Sequence, residues 1–131
     1  MTPAELKQRI DALPRQHIAL LPTPLENVPQ LAAAISVQQL ALKRDDLTGL
    51  AFGGNKIREL DFILGEAVAN GCDTFIAGGG VIHSNHARQC SAAAVRAGLK
   101  PIMVLRSGGF GAPDTGNVLM TKALGAEGIK A

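Results

Sequence analysis

The feature that most constrains the fold is a regular alternation of helical and strand-like segments after residue 54. Apolar residues recur at helical spacing in the first of three predicted helices, the second consists mostly of small residues, and each of the three is followed by a glycine that would end it (Gly71, Gly98 and Gly125). The predicted helices are Asn55–Ala69, Ser84–Ala97 and Asn117–Leu124. The predicted strands are the buried segment Thr74–Ala77, Pro101–Leu105, and a last strand that starts at Glu127–Ala131. Such alternation is typical of an α/β fold, a parallel sheet with flanking helices.

The first 50 residues are less regular. Pro3–Ile10 is predicted as a short helix with proline in its first turn, and a second short helix is predicted at Leu31–Ala34. Leu21–Glu26 holds two prolines, which exclude a helix there. Val37–Lys43 alternates as a strand does, and a glycine-rich loop is predicted at Ser107–Pro113.

Composition excludes several classes of function. The net charge is only +2, and the chain has no Trp and no Tyr, so it lacks the basic surface and stacking residues of a nucleic-acid-binding protein. No apolar stretch approaches the roughly 20 residues of a membrane span, and Met1–Glu5 does not resemble a signal peptide. Cys72 and Cys90 have no disulfide-framework spacing. We therefore expect reduced thiols, a cytoplasmic location, and no nucleic-acid or membrane partner.

The first candidate site is Gly53–Arg58. Two glycines allow close backbone approach, and Lys56 falls in the first turn of a predicted helix. The positive end of a helix disfavours an ammonium group and so favours the neutral, nucleophilic amine. The alternative interpretation is a loop followed by an ordinary exposed lysine. The segment is not a phosphate-binding P-loop, which needs glycine before the lysine and a hydroxyl residue after it.

The second candidate site is Gly78–His86, where a predicted strand runs through glycines into the start of a helix. Ligands of α/β proteins bind at this position, outside the carboxyl ends of the strands. Ser84 and Asn85 could equally be helix caps, and one could cap while the other binds. A third hypothesis is a metal site formed by His83, His86 and Cys90, whose spacing of three and four residues fits one helix face. No fourth ligand is evident, so we predict no metal.

Four motifs make the sequence recognisable. Thr23–Glu26, Leu42–Gly49, Gly53–Arg58 and Ser84–Gln89 resemble, in order and spacing, segments of the D-cysteine desulfhydrase and aminocyclopropane-carboxylate deaminase family. The resemblance runs from about residue 20 to 125. It implies part of a fold-type-II (tryptophan synthase β-like) enzyme that uses pyridoxal 5'-phosphate as cofactor.

The resemblance also implies roles for individual residues. Lys56 matches the lysine that holds the cofactor, and Asn85 matches the residue that contacts the hydroxyl of the cofactor ring. Ser84 matches the catalytic serine beside the reacting carbon. His86 stands where deaminases place a glutamine that binds the substrate carboxylate, which favours the desulfhydrase side of the family. Ser84, Asn85 and His86 are thus the expected substrate-binding residues.

The implied function is that of a lyase or deaminase acting on a small amino acid. Residues 1–60 are predicted to form the N-terminal part of a large cofactor domain, and residues 61–131 an incomplete small α/β domain. We expect little activity from the chain alone, and either a homo-oligomer or association with a missing C-terminal half. The alternatives are a noncatalytic remnant or binding module on the same scaffold, and a small metal-binding protein.

Overall fold

The computed structural model describes residues 1–78, 84–106 and 115–130. The N-terminal elements are α1 (Pro3–Asp11), β1 (Leu25–Asn27), α2 (Pro29–Ala34) and β2 (Ala41–Lys43), followed by short 3₁₀ turns at Asp45–Leu47 and Leu50–Phe52. The later elements are α3 (Lys56–Ala69), β3 (Thr74–Gly78), α4 (Asn85–Arg96), β4 (Lys100–Leu105), α5 (Gly116–Ala123) and β5 (Glu127–Lys130). The glycine-rich loop predicted at Ser107–Pro113 lies outside the described residues.

A parallel sheet with the strand order β3-β4-β5 organises the second part of the chain. The α/β prediction is therefore confirmed, and helices flank the sheet. The core lies between this sheet and α3 and α4. Its members share near-complete burial, and the largest are Ile57, Leu60, Leu64 and Met103.

Helix α4 lies at the centre because its side chains are small. It packs against α3, α5, β3 and β4. Its buried residues include Cys90 and Ala92 to Ala94. Small side chains let neighbouring backbones approach closely, and they leave little room for larger substitutions.

The segment 15–19 is fastened to α3 by one fully buried carboxylate, that of Asp61. Asp61 accepts hydrogen bonds from the backbone N–H groups of Ile18 (2.6 Å) and Ala19 (3.3 Å). It also accepts one from the Arg15 guanidinium (3.1 Å). A charged group without water is stable only when it is paired and hydrogen-bonded, and these three contacts meet that need.

Two predicted strands differ from the observed ones. The predicted strand Val37–Lys43 is shortened to Ala41–Lys43, because its antiparallel partner β1 ends at Asn27 and Pro29 begins α2. The segment Thr74–Ala77 does form a strand, but it is not wholly buried, since Ile76 is 64% exposed. The predicted domain boundary after residue 60 falls within the continuous helix α3, and the division into two domains stays a prediction. In the described part of the chain, no helix is long and apolar enough to cross a membrane.

Candidate active site

The loop before Lys56 has a backbone that only glycine can adopt. Gly53 has φ +69° and ψ −177°, a region nearly closed to other residues. A Cβ atom at Gly53 would lie 1.9 Å from the carbonyl oxygen of Asp46, and one at Gly54 would lie 2.3 Å from Nε2 of Gln89 on α4. The paired glycines therefore bring the loop against both the Asp46 turn and α4, immediately before α3 begins.

The buried side chain of Thr48 stabilises this loop by hydrogen bonds to its backbone. Its side chain is fully buried, and its hydroxyl oxygen accepts a hydrogen bond from the Gly54 N–H at 2.9 Å. The same N–H donates to the carbonyl oxygen of Asp45 at 2.8 Å. The motif Leu42–Gly49 thus supports the motif that carries the lysine.

A polar network joins the first three motifs. Arg58 donates to both carboxylate oxygens of Asp45, at 2.9 Å from Nε and 2.6 Å from Nη2. Arg58 also donates to the Thr23 hydroxyl (2.8 Å), and that hydroxyl lies 3.1 Å from Asp45. The hydrogen bonds from Arg58 lower the pKa of the Asp45 carboxyl, and the same pairing raises the pKa of Arg58. Since Arg58 lies two residues after Lys56, the network fixes the first turn of α3.

Lys56 is the first residue of α3, and its side chain is partly exposed. Its ammonium nitrogen lies 3.6 Å from Oε1 of Glu59, one turn later. The same carboxylate oxygen lies 3.9 Å from Nδ1 of His86 on α4. The structure therefore brings Lys56 and His86 to the same carboxylate oxygen of Glu59, although they are 30 positions apart in the sequence.

Ser84 and Asn85 lie at the start of α4. Ser84 is the N-cap, and its hydroxyl oxygen accepts a hydrogen bond from the Ala87 N–H at 3.1 Å. The side-chain oxygen Oδ1 of Asn85 accepts hydrogen bonds from Asn117 Nδ2 (3.0 Å) and Arg88 Nη2 (3.3 Å). Among the described contacts, none uses the Ser84 hydroxyl proton and none uses the amide nitrogen of Asn85. No described contact joins either residue directly to Lys56.

Cys90 completes the cluster but is chemically inert in this environment. Its side chain is fully buried, and Sγ lies 3.4 Å from Nε2 of His86. Burial, with a smaller contribution from the charge of Glu59, raises the pKa of the thiol to about 12. Within residues 1–78, 84–106 and 115–130, no group of three His, Cys, Asp or Glu side chains is arranged to hold a metal. His83, the third member of the hypothetical metal trio, lies outside those ranges.

Sequence reasoning gave no role to Glu59, Arg88 or Gln89. Arg88 is buried and lies over the exposed ring of Phe52, 5.8 Å from its centroid, and burial lowers the pKa of the guanidinium. Among the described residues, Arg88 Nε and Nη1 and Gln89 Oε1 are buried without a hydrogen-bond partner. The only signal for Arg88 and Gln89 was their place in the motif Ser84–Gln89. No pattern in the sequence pointed to Glu59, because its contact with His86 forms only when α3 packs against α4.

Two glycines near the carboxyl edge of the sheet have no close neighbours among the described residues. A Cβ atom added at Gly78, the last residue of β3, or at Gly116, the first of α5, would meet no described atom within 4 Å. The Asn85–Asn117 contact places the starts of α4 and α5 side by side at this edge. The amine of Lys56, the hydroxyl of Ser84 and the side-chain amide nitrogen of Asn85 lie at the starts of α3 and α4, two helices that pack against each other.

The family model described as pyridoxal-phosphate dependent enzyme matches residues 18–131. The chain belongs to the family of pyridoxal-phosphate-dependent enzymes. This family membership confirms the resemblance seen in the four motifs and identifies the cofactor.

Individual relatives agree with the family assignment. A putative 1-aminocyclopropane-1-carboxylate deaminase of Pyrococcus abyssi is 44% identical over 123 residues, which are 91% of this chain and 36% of the relative. A D-cysteine desulfhydrase of Klebsiella pneumoniae is 41% identical over 100 residues, 76% of this chain and 30% of the relative. The crystal structure of an aminocyclopropane-carboxylate deaminase homologue superimposes with a TM-score of 0.86 at 37% identity, covering all of this chain and 38% of the homologue.

Two facts follow for the family member described here. Its fold is part of the fold-type-II architecture, as predicted. The chain spans about a third of the length of the curated relatives it matches.

Proposed function

We propose that this chain supplies the cofactor lysine and the substrate-binding helix start of a pyridoxal-phosphate-dependent lyase or deaminase that acts on a small amino acid such as D-cysteine. The observation that carries the proposal is the position of Lys56. Its partly exposed amine begins α3, follows a loop that requires glycine, and faces the first turn of α4 across Glu59.

Four residues would hold the cofactor and the substrate. Lys56 would bind the cofactor covalently, and the unused amide nitrogen of Asn85 is suited to donate to the oxygen of the cofactor ring. His86 would donate an imidazole N–H to the substrate carboxylate, and Ser84 would place its hydroxyl beside the reacting carbon. Pyridoxal phosphate, when bound, supplies the electron sink for reactions at the α-carbon of the amino acid.

The chain's own contribution to chemistry would be proton transfer and orientation. The amine of Lys56 would act as the base that takes the α-proton of the substrate. Glu59 contacts both Lys56 and His86, so it would keep these two side chains oriented towards the same space. We further propose that the site is completed by the rest of the family fold and works in the cytoplasm, consistent with the free thiols of Cys72 and Cys90. Alone, the chain would turn over slowly, because catalysis tolerates little misplacement of the reacting groups.

The first prediction concerns the cofactor lysine. After incubation with pyridoxal phosphate and reduction with borohydride, peptide mass spectrometry should find the pyridoxyl label concentrated on Lys56. Lys56→Arg should remove that label, because a guanidinium does not form the same reducible bond, and Lys100→Arg should leave it unchanged.

The same protein variants, incubated with pyridoxal phosphate but not reduced with borohydride, test the catalytic proposal. With D-cysteine, release of pyruvate and sulfide should be slow in the wild-type chain and absent in Lys56→Arg. A label spread evenly over Lys43, Lys100 and Lys122 would reject Lys56 as the cofactor lysine. Fast, Lys56-dependent turnover would show instead that these 131 residues form a complete site.

A further inference from the structure

One charged side chain of α4 is buried without a carboxylate beside it. Arg88 is only 6% exposed, and its Nε and Nη1 atoms have no hydrogen-bond partner. Among the described contacts, its guanidinium makes one hydrogen bond, from Nη2 to Oδ1 of Asn85 at 3.3 Å. Burying a cation without an anionic partner costs stability. The presence of Arg88 is therefore better explained by its contact with Asn85 than by a contribution to the stability of the fold.

The turn Leu50–Phe52 holds the guanidinium from the other side. The carbon at the centre of the Arg88 guanidinium lies 5.8 Å from the centroid of the Phe52 ring, and a cation is attracted to an aromatic face. Ala51 and Phe52 both have a positive φ, +47° and +67°, which is a strained conformation for residues that carry a side chain. The position of Arg88 is thus set both by its own helix and by a strained turn next to the lysine loop.

Arg88 determines which end of the Asn85 amide faces it. A guanidinium carries N–H donors and no acceptor, so only the amide oxygen of Asn85 can face it. The contact with Asn117 does not define this orientation in the same way, because the amide of Asn117 can present either an oxygen or a nitrogen. With Oδ1 held by Arg88, the amide nitrogen of Asn85 points to the other side, where none of the described contacts uses it.

We propose that Arg88 is a positioning residue for the cofactor, which holds Asn85 with its amide nitrogen, and not its oxygen, towards the ring oxygen of pyridoxal phosphate. The inference rests on the proposed function, which assigns the contact with the ring oxygen to Asn85. A reversed amide would bring an acceptor against the ionised ring oxygen. A donor instead stabilises the form with more negative charge on that oxygen, so it lowers the pH at which the cofactor adduct loses its proton.

The test is the pH titration of the visible absorption band of the pyridoxal phosphate adduct on Lys56. Arg88→Met removes all donors of the side chain and leaves the amide of Asn85 free to reverse. The midpoint of the titration should rise by about one pH unit, which corresponds to the loss of one hydrogen bond. Lys56, Glu59 and His86, the titratable groups at the starts of α3 and α4, are the same in this variant.

The same substitution in an Asn85→Ala background separates positioning from a direct effect of the Arg88 charge. There Arg88→Met should cause no further rise, because the amide on which Arg88 acts is gone. Arg88→Lys keeps a cation that only donates, and its midpoint should stay closer to the wild-type value than that of Arg88→Met. Arg96→Met makes the same chemical change at an exposed position of α4 and should leave the midpoint unchanged.

Folding is checked by circular dichroism and by the melting temperature. Arg88→Met should melt no lower than the wild type, because it removes a buried cation that has no anionic partner. Arg88→Gln is the second variant should Arg88→Met not fold, and it should also raise the midpoint, since its amide accepts as well as donates.

Two results would overturn the inference alone: an adduct on Lys56 whose midpoint does not change without Arg88, or a rise that is equally large in the Asn85→Ala background. Absence of any Lys56 adduct in the wild-type chain would instead overturn the proposed function, and the inference with it.

Discussion

Gly53→Ala is expected to destabilise the chain by roughly 2–6 kcal/mol, from the strain of the backbone region and from overpacking. The added methyl would lie 1.9 Å from a backbone oxygen, and that oxygen belongs to a turn fixed by the Asp45 network. Because the neighbour cannot rotate away, the loop must move. Urea denaturation should therefore show a lower midpoint, and the pyridoxyl label on Lys56 should fall even in urea-free buffer.

Gly71→Ala provides the control for this substitution. Gly71 also has a positive φ, +72°, but a Cβ atom there would meet nothing within 4 Å. Gly71→Ala should lower the free energy of unfolding by only about 1–2 kcal/mol, the cost of the left-handed backbone conformation itself. The label on Lys56 should not change. Equal losses of stability in the two variants would contradict the importance of the Asp46 contact.

Asp61→Ala is expected to cost about 3–5 kcal/mol, as is usual when one partner of a buried charged pair is removed. The substitution leaves the N–H groups of Ile18 and Ala19 without their acceptor, and it leaves Arg15 without its carboxylate. The segment 15–19 should detach from α3. Hydrogen exchange measured by mass spectrometry should show faster exchange in that segment, together with a lower melting temperature.

Asp11→Ala makes the same chemical change at an exposed position. Asp11 pairs with Lys7 on the surface of α1, a contact of the kind worth at most about 1 kcal/mol. The melting temperature should hardly change. If Asp61→Ala were as mild as Asp11→Ala, the buried carboxylate would not be the group that fastens segment 15–19.

The parallel α/β part of the fold could be predicted because its signals are local. The apolar periodicity of Ile57, Leu60 and Leu64 identified α3, and Gly71 and Gly98 marked the ends of α3 and α4 correctly. Each of these signals is contained within one helix and the turn that follows. The position of Lys56 at the start of α3 could be predicted for the same reason.

The rest of the site depends on contacts between distant segments. Asp45 and Arg58 both lie in recognised motifs, but nothing in the sequence indicates that they pair with each other and with Thr23. The contact between Glu59 and His86 arises only when α3 packs on α4. The exposure of Ile76 was missed because a run of apolar residues looks the same whether one or both faces of the sheet are covered.

The network that holds the lysine loop and the contacts of Asp61 also constrain the order in which the chain can fold on the ribosome. The Thr23 hydroxyl accepts its hydrogen bond from Arg58, which is made 35 positions later. The Ile18 N–H donates to Asp61, which is made 43 positions later. Chains are made from the amino end, so the first 55 residues emerge before the helix that satisfies their polar groups. Residues 15–55 are therefore expected to remain protease-sensitive on nascent chains until α3 has left the exit tunnel.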